Sequence, residues 1–373
     1  MHFLSESFLL FAVAFGALFF WLDRLGQKIL LLVASYYFCG SQSWTFAALL
    51  AVSTLINHFS AVVIQASQEW RKAAMWTGIA ANVALLGVFK YFDFFSVSFS
   101  EGLGAFGVHY APAVLNLAIP RGLSFYTLQG ISYLVDLREG KVERASFLDY
   151  AVYASFWPKF VAGPIIRARS FIPQLQARRR FLWANFYLGV ESIIYGLFLK
   201  TTLSDYLAPQ VNKVYGAPEA YGSADALLAA TFFSFQVYGD FAGYSLVVIG
   251  IARILGYSVR PNFRRPLFST SIVDFWTRWH ISLSSWLRDY VFRRLPVSHG
   301  EQREWGGVAD IYSAILGVRH VARDQTFDGL GGDSLAFVQV SLALEQYLGK
   351  LPDSWESKTV ARLDELKPAP QGF

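Results

Sequence analysis

The segment FDGLGGDSLAFVQVSLALEQYLG, Phe327 to Gly349, places a serine where phosphate chemistry is favoured. Gly331 and Gly332 permit a tight backbone entry, and Asp333 or Ser334 then caps a helix by accepting from its free N–H groups. The Ser334 hydroxyl is thereby displayed at the helix N-terminus, where an attached phosphodiester gains from the positive end of the macrodipole. Leu335, Val338 and Leu342 follow at i, i+3 and i+7 and are expected to bind the helix into a bundle. Simple N-capping is the competing reading of the same residues.

A second chemical group lies upstream. Plotted at about 100° per residue, Asp274 to Tyr290 puts Trp279, Leu283, Trp286 and Tyr290 on one face. Thr277, His280, Ser284 and Arg288 form a polar stripe. Such a helix is expected at the membrane interface or lining a polar cavity, because lipid cannot surround it. A neutral His280 imidazole beside an acceptor hydroxyl is suited to take its proton as a general base. A purely structural histidine is the alternative.

The elements that must position these groups are mostly apolar. The chain is 54% hydrophobic and 16% charged, with mean hydropathy +0.36; ordinary soluble domains carry about 25% charged residues. This composition predicts a polytopic membrane protein. Candidate spans fall near 8–22, 28–42, 44–66, 74–98, 119–137, 147–163, 181–200, 225–256 and 272–292. The first, FLLFAVAFGALFFW, is expected to be a retained helix, since it lacks a basic flank and a small-residue cleavage site. Gln129, Asp136, Gln236 and Asp240 lie inside apolar runs, so they either hydrogen-bond between helices or line a wet cavity. The single cysteine, Cys39, supports no disulfide framework. His58 reads as an interior histidine and His109 as inert. No nucleotide loop, metal-ligand cluster or nucleic-acid pattern stands out.

Charge divides the chain. Residues 306–373 hold nine acidic and six basic groups, −3, which leaves +8 of the total +5 on the remainder. The basic loops LDRLGQK, EWRKAA and RARSFIPQLQARRR predict a cytoplasmic side, and their arginines also suit anionic lipid. After Phe292 a charged, turn-rich stretch, RRLPVSHGEQREWGG, reads as a linker. Three short helices follow, over VADIYSAILGV, Ser334 to about Leu348, and about Ser357 to Leu366, near the lower size limit of an independent domain.

Two resemblances join these parts. FDGLGGDSLA, with Phe327 seven residues before the serine, and LGKLPDSWESKTVARLDEL resemble acyl and peptidyl carrier proteins. This likeness implies that Ser334, flanked by Asp333 and Leu335, carries 4′-phosphopantetheine with an acyl group held as a thioester. FYTLQGISYLVDLREGKVE, YASFWPKFVAGPIIR, YGDFAGYSLVVIGIARILGY and NFRRPLFSTSIVDFWTRWHISLSSWLRDYVF resemble the membrane-bound O-acyltransferase family. The nearest branch contains alginate O-acetyltransferases and teichoic acid D-alanyl transferases. The expected organisation is all-α: a transmembrane domain over 1–293, a linker over 294–305 and a carrier-like domain over 306–368. The family buries its transfer site in a funnel through the bilayer, with the donor entering from the cytoplasm. His280 then takes a supporting or hydrogen-bonding role, since other branches place asparagine there. Asp136, Asp240, Ser284 and Arg288 are the candidate cavity groups.

One departure matters. The family's tryptophan-histidine-glycine motif, which holds its main catalytic histidine, has no counterpart; His299 and His320 sit in unlike surroundings. The family's last membrane helices are expected to be truncated here and replaced by the carrier. The first hypothesis is a membrane O-acyltransferase that moves an acyl group from its own carrier to a hydroxyl of a polysaccharide or other secreted acceptor. Arg167, Arg169, Arg178, Arg179 and Arg180 would dock the acidic carrier, and tethering supplies a donor at about millimolar effective concentration. The alternative is a catalytically degenerate anchor that presents the carrier to a partner enzyme; a transporter is disfavoured, with no inverted repeat visible. Expected partners are the bilayer, a phosphopantetheinyl transferase, an acyl-loading enzyme and, for an active protein, a subunit supplying the absent histidine. The expected location is the cytoplasmic membrane, multi-pass, with the carrier facing the cytoplasm.

Overall fold

Helices account for the regular structure of the described residues in the computed structural model. Those are residues 6–41, 43–106, 111, 114, 122–160, 163–292, 306–318, 320–331, 334–352 and 354–367. The segment 294–305, His109, His299 and Asp333 lie outside them, as do the side chains of Ser334, Leu335, Val338 and Leu342. Contacts divide the chain into two units, Met1–Pro261 and Asn262–Phe373. The all-α fold class read from the sequence is the one observed, whereas the contact boundary falls at 261/262 rather than at the linker expected over 294–305.

The first unit contains α1 (Glu6–Trp21), α2 (Arg24–Gly40), α3 (Trp44–Ala66), α4 (Arg71–Leu86), α5 (Phe92–Ala105) and α6 (Leu123–Arg138). It continues with α7 (Phe147–Ser155), α8 (Ala168–Phe171), α9 (Trp183–Phe198), α10 (Asp205–Gly216) and α11 (Ser223–Ile254). Side-chain oxygens start several of them: Asp23 accepts from Gly26 N at 2.8 Å, and Ser146 from Asp149 N at 3.1 Å. Among the described residues, three segments are long and apolar enough to cross a bilayer: Trp44–Ala66, Arg71–Gly104 and Ser223–Ile254. Short π segments join α4 to α5 and α9 to α10 without ending the helical run. The span expected over 147–163 is broken instead: α7 stops at Ser155, and Pro158 lies in the single turn that follows.

The centre of this unit is α6, buried along most of its length against α3 and α4. Its interior polar groups hydrogen-bond between segments. Asn57 and Asn82 exchange amide bonds of 3.2 and 3.0 Å between α3 and α4. Gln129 donates to Ile166 O at 3.1 Å and accepts from the buried Lys159 Nζ, which also donates to Tyr153 O at 2.7 Å. Helices α9 and α11 approach most closely at glycines. A Cβ on Gly196 would lie 2.6 Å from Gly243 O, and one on Gly243 would lie 2.6 Å from Gly196 O. Only residues without side chains let two membrane helices meet so closely.

The second unit contains α12 (Ile272–Arg278), α13 (Ile281–Tyr290), α14 (Val308–Leu316), α15 (Ser334–Leu348) and α16 (Val360–Asp364). Its core is Val308, Ile311, Tyr312, Phe327, Ala336, Val340, Ala343, Leu344, Leu348, Trp355, Val360 and Leu363, joined by Val273 from α12. Phe327 is completely buried, with ring centroids 6.1 Å from Tyr312, 5.9 Å from Phe337 and 5.0 Å from Trp355. Among the described side chains, the apolar stripe α15 buries is Ala336, Val340, Ala343, Leu344 and Leu348. Asp364 accepts from Val308 N at 2.8 Å, and Thr359 caps α16, so the bundle's ends are tied together.

Candidate functional site

Helix α15 begins at Ser334, preceded by a left-handed Gly331 at φ 71°. The 15-residue helix presents its positive end at the residue expected to carry the phosphodiester, so the fold suits that group. The same helix packs against α12, and Val273, only 3% exposed, enters the core of the bundle. Sequence reasoning missed Val273; its signal was an apolar pair, Ile272-Val273, inside a polar stretch. Acidic groups gather here. Burial pushes the Asp328 carboxyl above its usual range; Ser357 hydrogen-bonds to it and opposes the shift, while Asp274 adds like-charge repulsion. Burial likewise raises the Glu356 carboxyl.

Two residues beyond α12 stands His280. The sequence predicts one helix from Asp274 to Tyr290, and the structure corrects this. Helix α12 ends at Arg278, Trp279 is extended, and His280 adopts φ 43°, ψ 50° before α13 begins. The left-handed region is uncommon for a non-glycine residue, although histidine is among those enriched there. The break has a local cause. Asn262 accepts from Ile281 N at 2.9 Å through its carbonyl, and from Ser282 N and Oγ at 3.2 and 2.8 Å through its side chain. Arg264 N donates to Arg278 O at 3.0 Å and occupies the carbonyl at the end of α12. These bonds satisfy the groups that a continuous helix would have paired internally.

The polar stripe is therefore divided. Thr277 belongs to α12, whereas His280 starts α13, which carries Ser284 and Arg288. Ser284 N bonds to His280 O at 3.0 Å, and Arg288 Nε pairs with the adjacent Asp289 at 3.2 Å. His280 is partly buried, and desolvation lowers its pKa to about 4. Its imidazole is neutral at pH 7. A base that weak accepts a proton poorly, so the environment favours hydrogen bonding and positioning over proton abstraction.

The remaining candidates lie in the first unit. Asp136 is buried in α6. Asp240 on α11 pairs with Lys200 at 2.7 Å, and the same lysine holds Asp205 at 2.6 Å. Of the five arginines, Arg167 is buried at 8% exposure and is not displayed with the others. Arg169, Arg178 and Arg180 are exposed. Arg178 donates to Phe20 O and Trp21 O at 3.5 and 3.4 Å, while Arg179 stacks 4.9 Å from the Tyr257 ring centroid.

Residues 33–313 match MBOAT, the membrane-bound O-acyltransferase family, and the chain belongs to that family. Residues 307–363 match the phosphopantetheine attachment site, which supplies 4′-phosphopantetheine as the prosthetic group. The chain is 33% identical over 309 residues to the probable alginate O-acetylase AlgI of Azotobacter vinelandii, covering 80% of this chain and 60% of that protein. It is 32% identical to the peptidoglycan O-acetyltransferase of Helicobacter pylori, covering 76% and 58%. It is also 32% identical to the teichoic acid D-alanyltransferase of Bacillus subtilis, covering 48% and 46%. The chain thus spans about three-fifths of the length of the alginate O-acetylase it matches.

Proposed function

We propose that the chain is a membrane O-acyltransferase whose own carrier unit supplies the acyl group. The observation that carries this reading is the packing of α12 against α15: the helix that opens at Ser334 rests on the element that leads directly to His280. When bound, 4′-phosphopantetheine supplies a terminal thiol that holds an acyl group as a thioester. Ser334 anchors it, α12 holds the carrier helix in place, and His280 presents a neutral ring for hydrogen bonding. The acceptor is a hydroxyl of a polysaccharide or another secreted molecule, as the names of the relatives suggest. Lys/Arg-rich loops support a cytoplasmic-membrane location with the carrier in the cytoplasm, within reach of a phosphopantetheinyl transferase and an acyl-loading enzyme. The exposed Arg169, Arg178 and Arg180 favour an acidic partner surface on that side.

A second reading is favoured by one sequence observation. No Trp-His-Gly occurs among the 373 residues, and Trp279-His280 is followed by isoleucine. In that reading the body is an anchor that presents its carrier to a partner enzyme, or to a subunit that completes the site with a histidine. The test is purified full-length chain, loaded with labelled acetyl and given a soluble hydroxyl acceptor. The acyltransferase reading expects label on the acceptor with the native chain, much less with His280→Ala, and none with Ser334→Ala. Equal, background release from the native chain and His280→Ala favours the anchor.

A further inference from the structure

Within the first unit, α11 and α9 frame a polar cavity of about 280 Å³, lined by Asn185, Ile249, Arg253, Gly256, Tyr257 and Ser258 among others. We propose that this cavity binds the phosphate of an anionic phospholipid headgroup. The site is built rather than incidental. Gly256, at φ 82°, closes α11 with Tyr257 N donating to Ala252 O at 2.8 Å and Gly256 N to Arg253 O at 2.9 Å. That turn occupies carbonyls at the negative end of α11, which would otherwise repel an anion. Gln174 grips the next residue twice: Ser258 N donates to its Oε1 at 2.8 Å, and its Nε2 donates to Ser258 O at 3.0 Å. Tyr257 is fixed beneath the Arg179 guanidinium and against Phe156 and Phe171, with centroids 5.7 and 5.3 Å apart.

Against this wall, the exposed Arg253 and the partly buried Asn185 present polar side chains to the cavity. Among the described residues, Arg253 and Asn185 have no side-chain hydrogen bond or ion pair. A guanidinium and an amide together match phosphate oxygens, which accept charge-assisted bonds. Asn185 stands in the first turn of α9, whose N-cap, Leu182, offers no side-chain acceptor. The positive end of a 16-residue helix therefore adds to the same field. No Asp or Glu occurs from 150 to 190 or from 241 to 261, so nearby sequence supplies no competing carboxylate.

The aromatic residues beside the cavity point to the lipid as the source of the phosphate. Phe181, Trp183, Phe186 and Tyr187 form a run of ring contacts of 5.0 to 5.9 Å beside Asn185. Trp183 is 64% and Tyr187 67% exposed. Exposed tryptophan and tyrosine mark the headgroup level of a bilayer. The exposed Arg178 and Arg180, next to Arg179, supply the basic fringe that anionic headgroups attract.

The full-length protein is reconstituted in nanodiscs of phosphatidylcholine containing phosphatidylglycerol, released gently, and its retained lipids are identified by native mass spectrometry. The native chain is expected to retain phosphatidylglycerol over phosphatidylcholine. Arg253→Gln and Asn185→Asp are each expected to lower that retention about tenfold, the scale of one charge-assisted bond. Lys213→Gln, an exposed lysine on α10 outside the cavity, should change it little, and matched melting temperatures exclude unfolding. Retention unchanged in both cavity variants overturns the proposal. Displacement of the lipid by millimolar inorganic phosphate or pantetheine phosphate overturns its assignment to the bilayer. Because no acyl group is involved, the result is independent of the transfer reaction.

Discussion

Helix α11 and the segment 272–290 both read as apolar spans interrupted by polar groups, yet one is a continuous 32-residue helix and the other is two short helices. In α11 the polar group Asp240 is answered from a neighbour, Lys200, and the helix is pressed onto α9 through paired glycines. In 272–290 the backbone itself is captured from outside, by Asn262 and Arg264, and His280 turns left-handed where the two helices meet. The first keeps its geometry and serves as scaffold. The second yields its geometry and gains an element, α12, whose Val273 enters the carrier core. The difference teaches that polar side chains alone do not break a span; competition for its carbonyls and N–H groups does.

The contrast breaks most severely at Val273. Val273→Asp buries an unpaired carboxylate in the carrier core and is expected to cost about 4 kcal/mol. Hydrogen exchange should then accelerate throughout α15, and unchanged protection would separate α12 from the carrier. Gly243→Leu drives a side chain into the Gly196 carbonyl, with an expected loss of about 3 kcal/mol. Limited proteolysis between α9 and α11 should increase, whereas the carrier's own exchange pattern should not move.

A smaller effect sharpens the scaffold side. Lys200→Met leaves Asp205 and Asp240 facing each other without their shared cation, an expected loss of about 1 kcal/mol because both acids remain partly exposed. Adding Asp240→Asn should recover part of it in thermal melts; strict additivity of the two changes would deny the pairing.

The smallest change concerns acid. The pKa of His280 falls to about 4 in the fold, against about 6.5 in an unfolded chain. The unfolded state binds more protons between these values, so stability is complete above about 6.5 and declines as pH falls through about 4. His280→Gly, which also accepts a left-handed backbone, should flatten that decline. Parallel melting curves for the two proteins from pH 7.5 to 4.5 would show that the ring is not desolvated.

Much of this was legible in residues. Gly331 and the apolar run after Ser334 bounded α15 correctly, because a glycine break and a helical run of apolar residues are local signals. The break at His280 was not. Periodicity counts side chains around a cylinder, and the residue that unmakes the cylinder, Asn262, lies eighteen positions away with no pattern to announce it. Asp240 and Asp136 were flagged by type, but neither the partner of Asp240 nor the burial of Asp136 can be read without the neighbouring helices. Arg167 sat in a basic cluster by sequence and in the interior by structure, since a charge pattern records composition and not exposure.

The most direct test follows discharge of acetyl from the thiol of the arm anchored at Ser334 in the full-length protein as its concentration is varied over two orders of magnitude, at fixed acceptor. A donor held on α12 of its own chain should discharge at a rate per molecule that does not depend on protein concentration, and a carrier-dead Ser334→Ala chain should not accelerate it. A rate that climbs in proportion to protein concentration, or acetyl lost only to water, would contradict delivery within one chain.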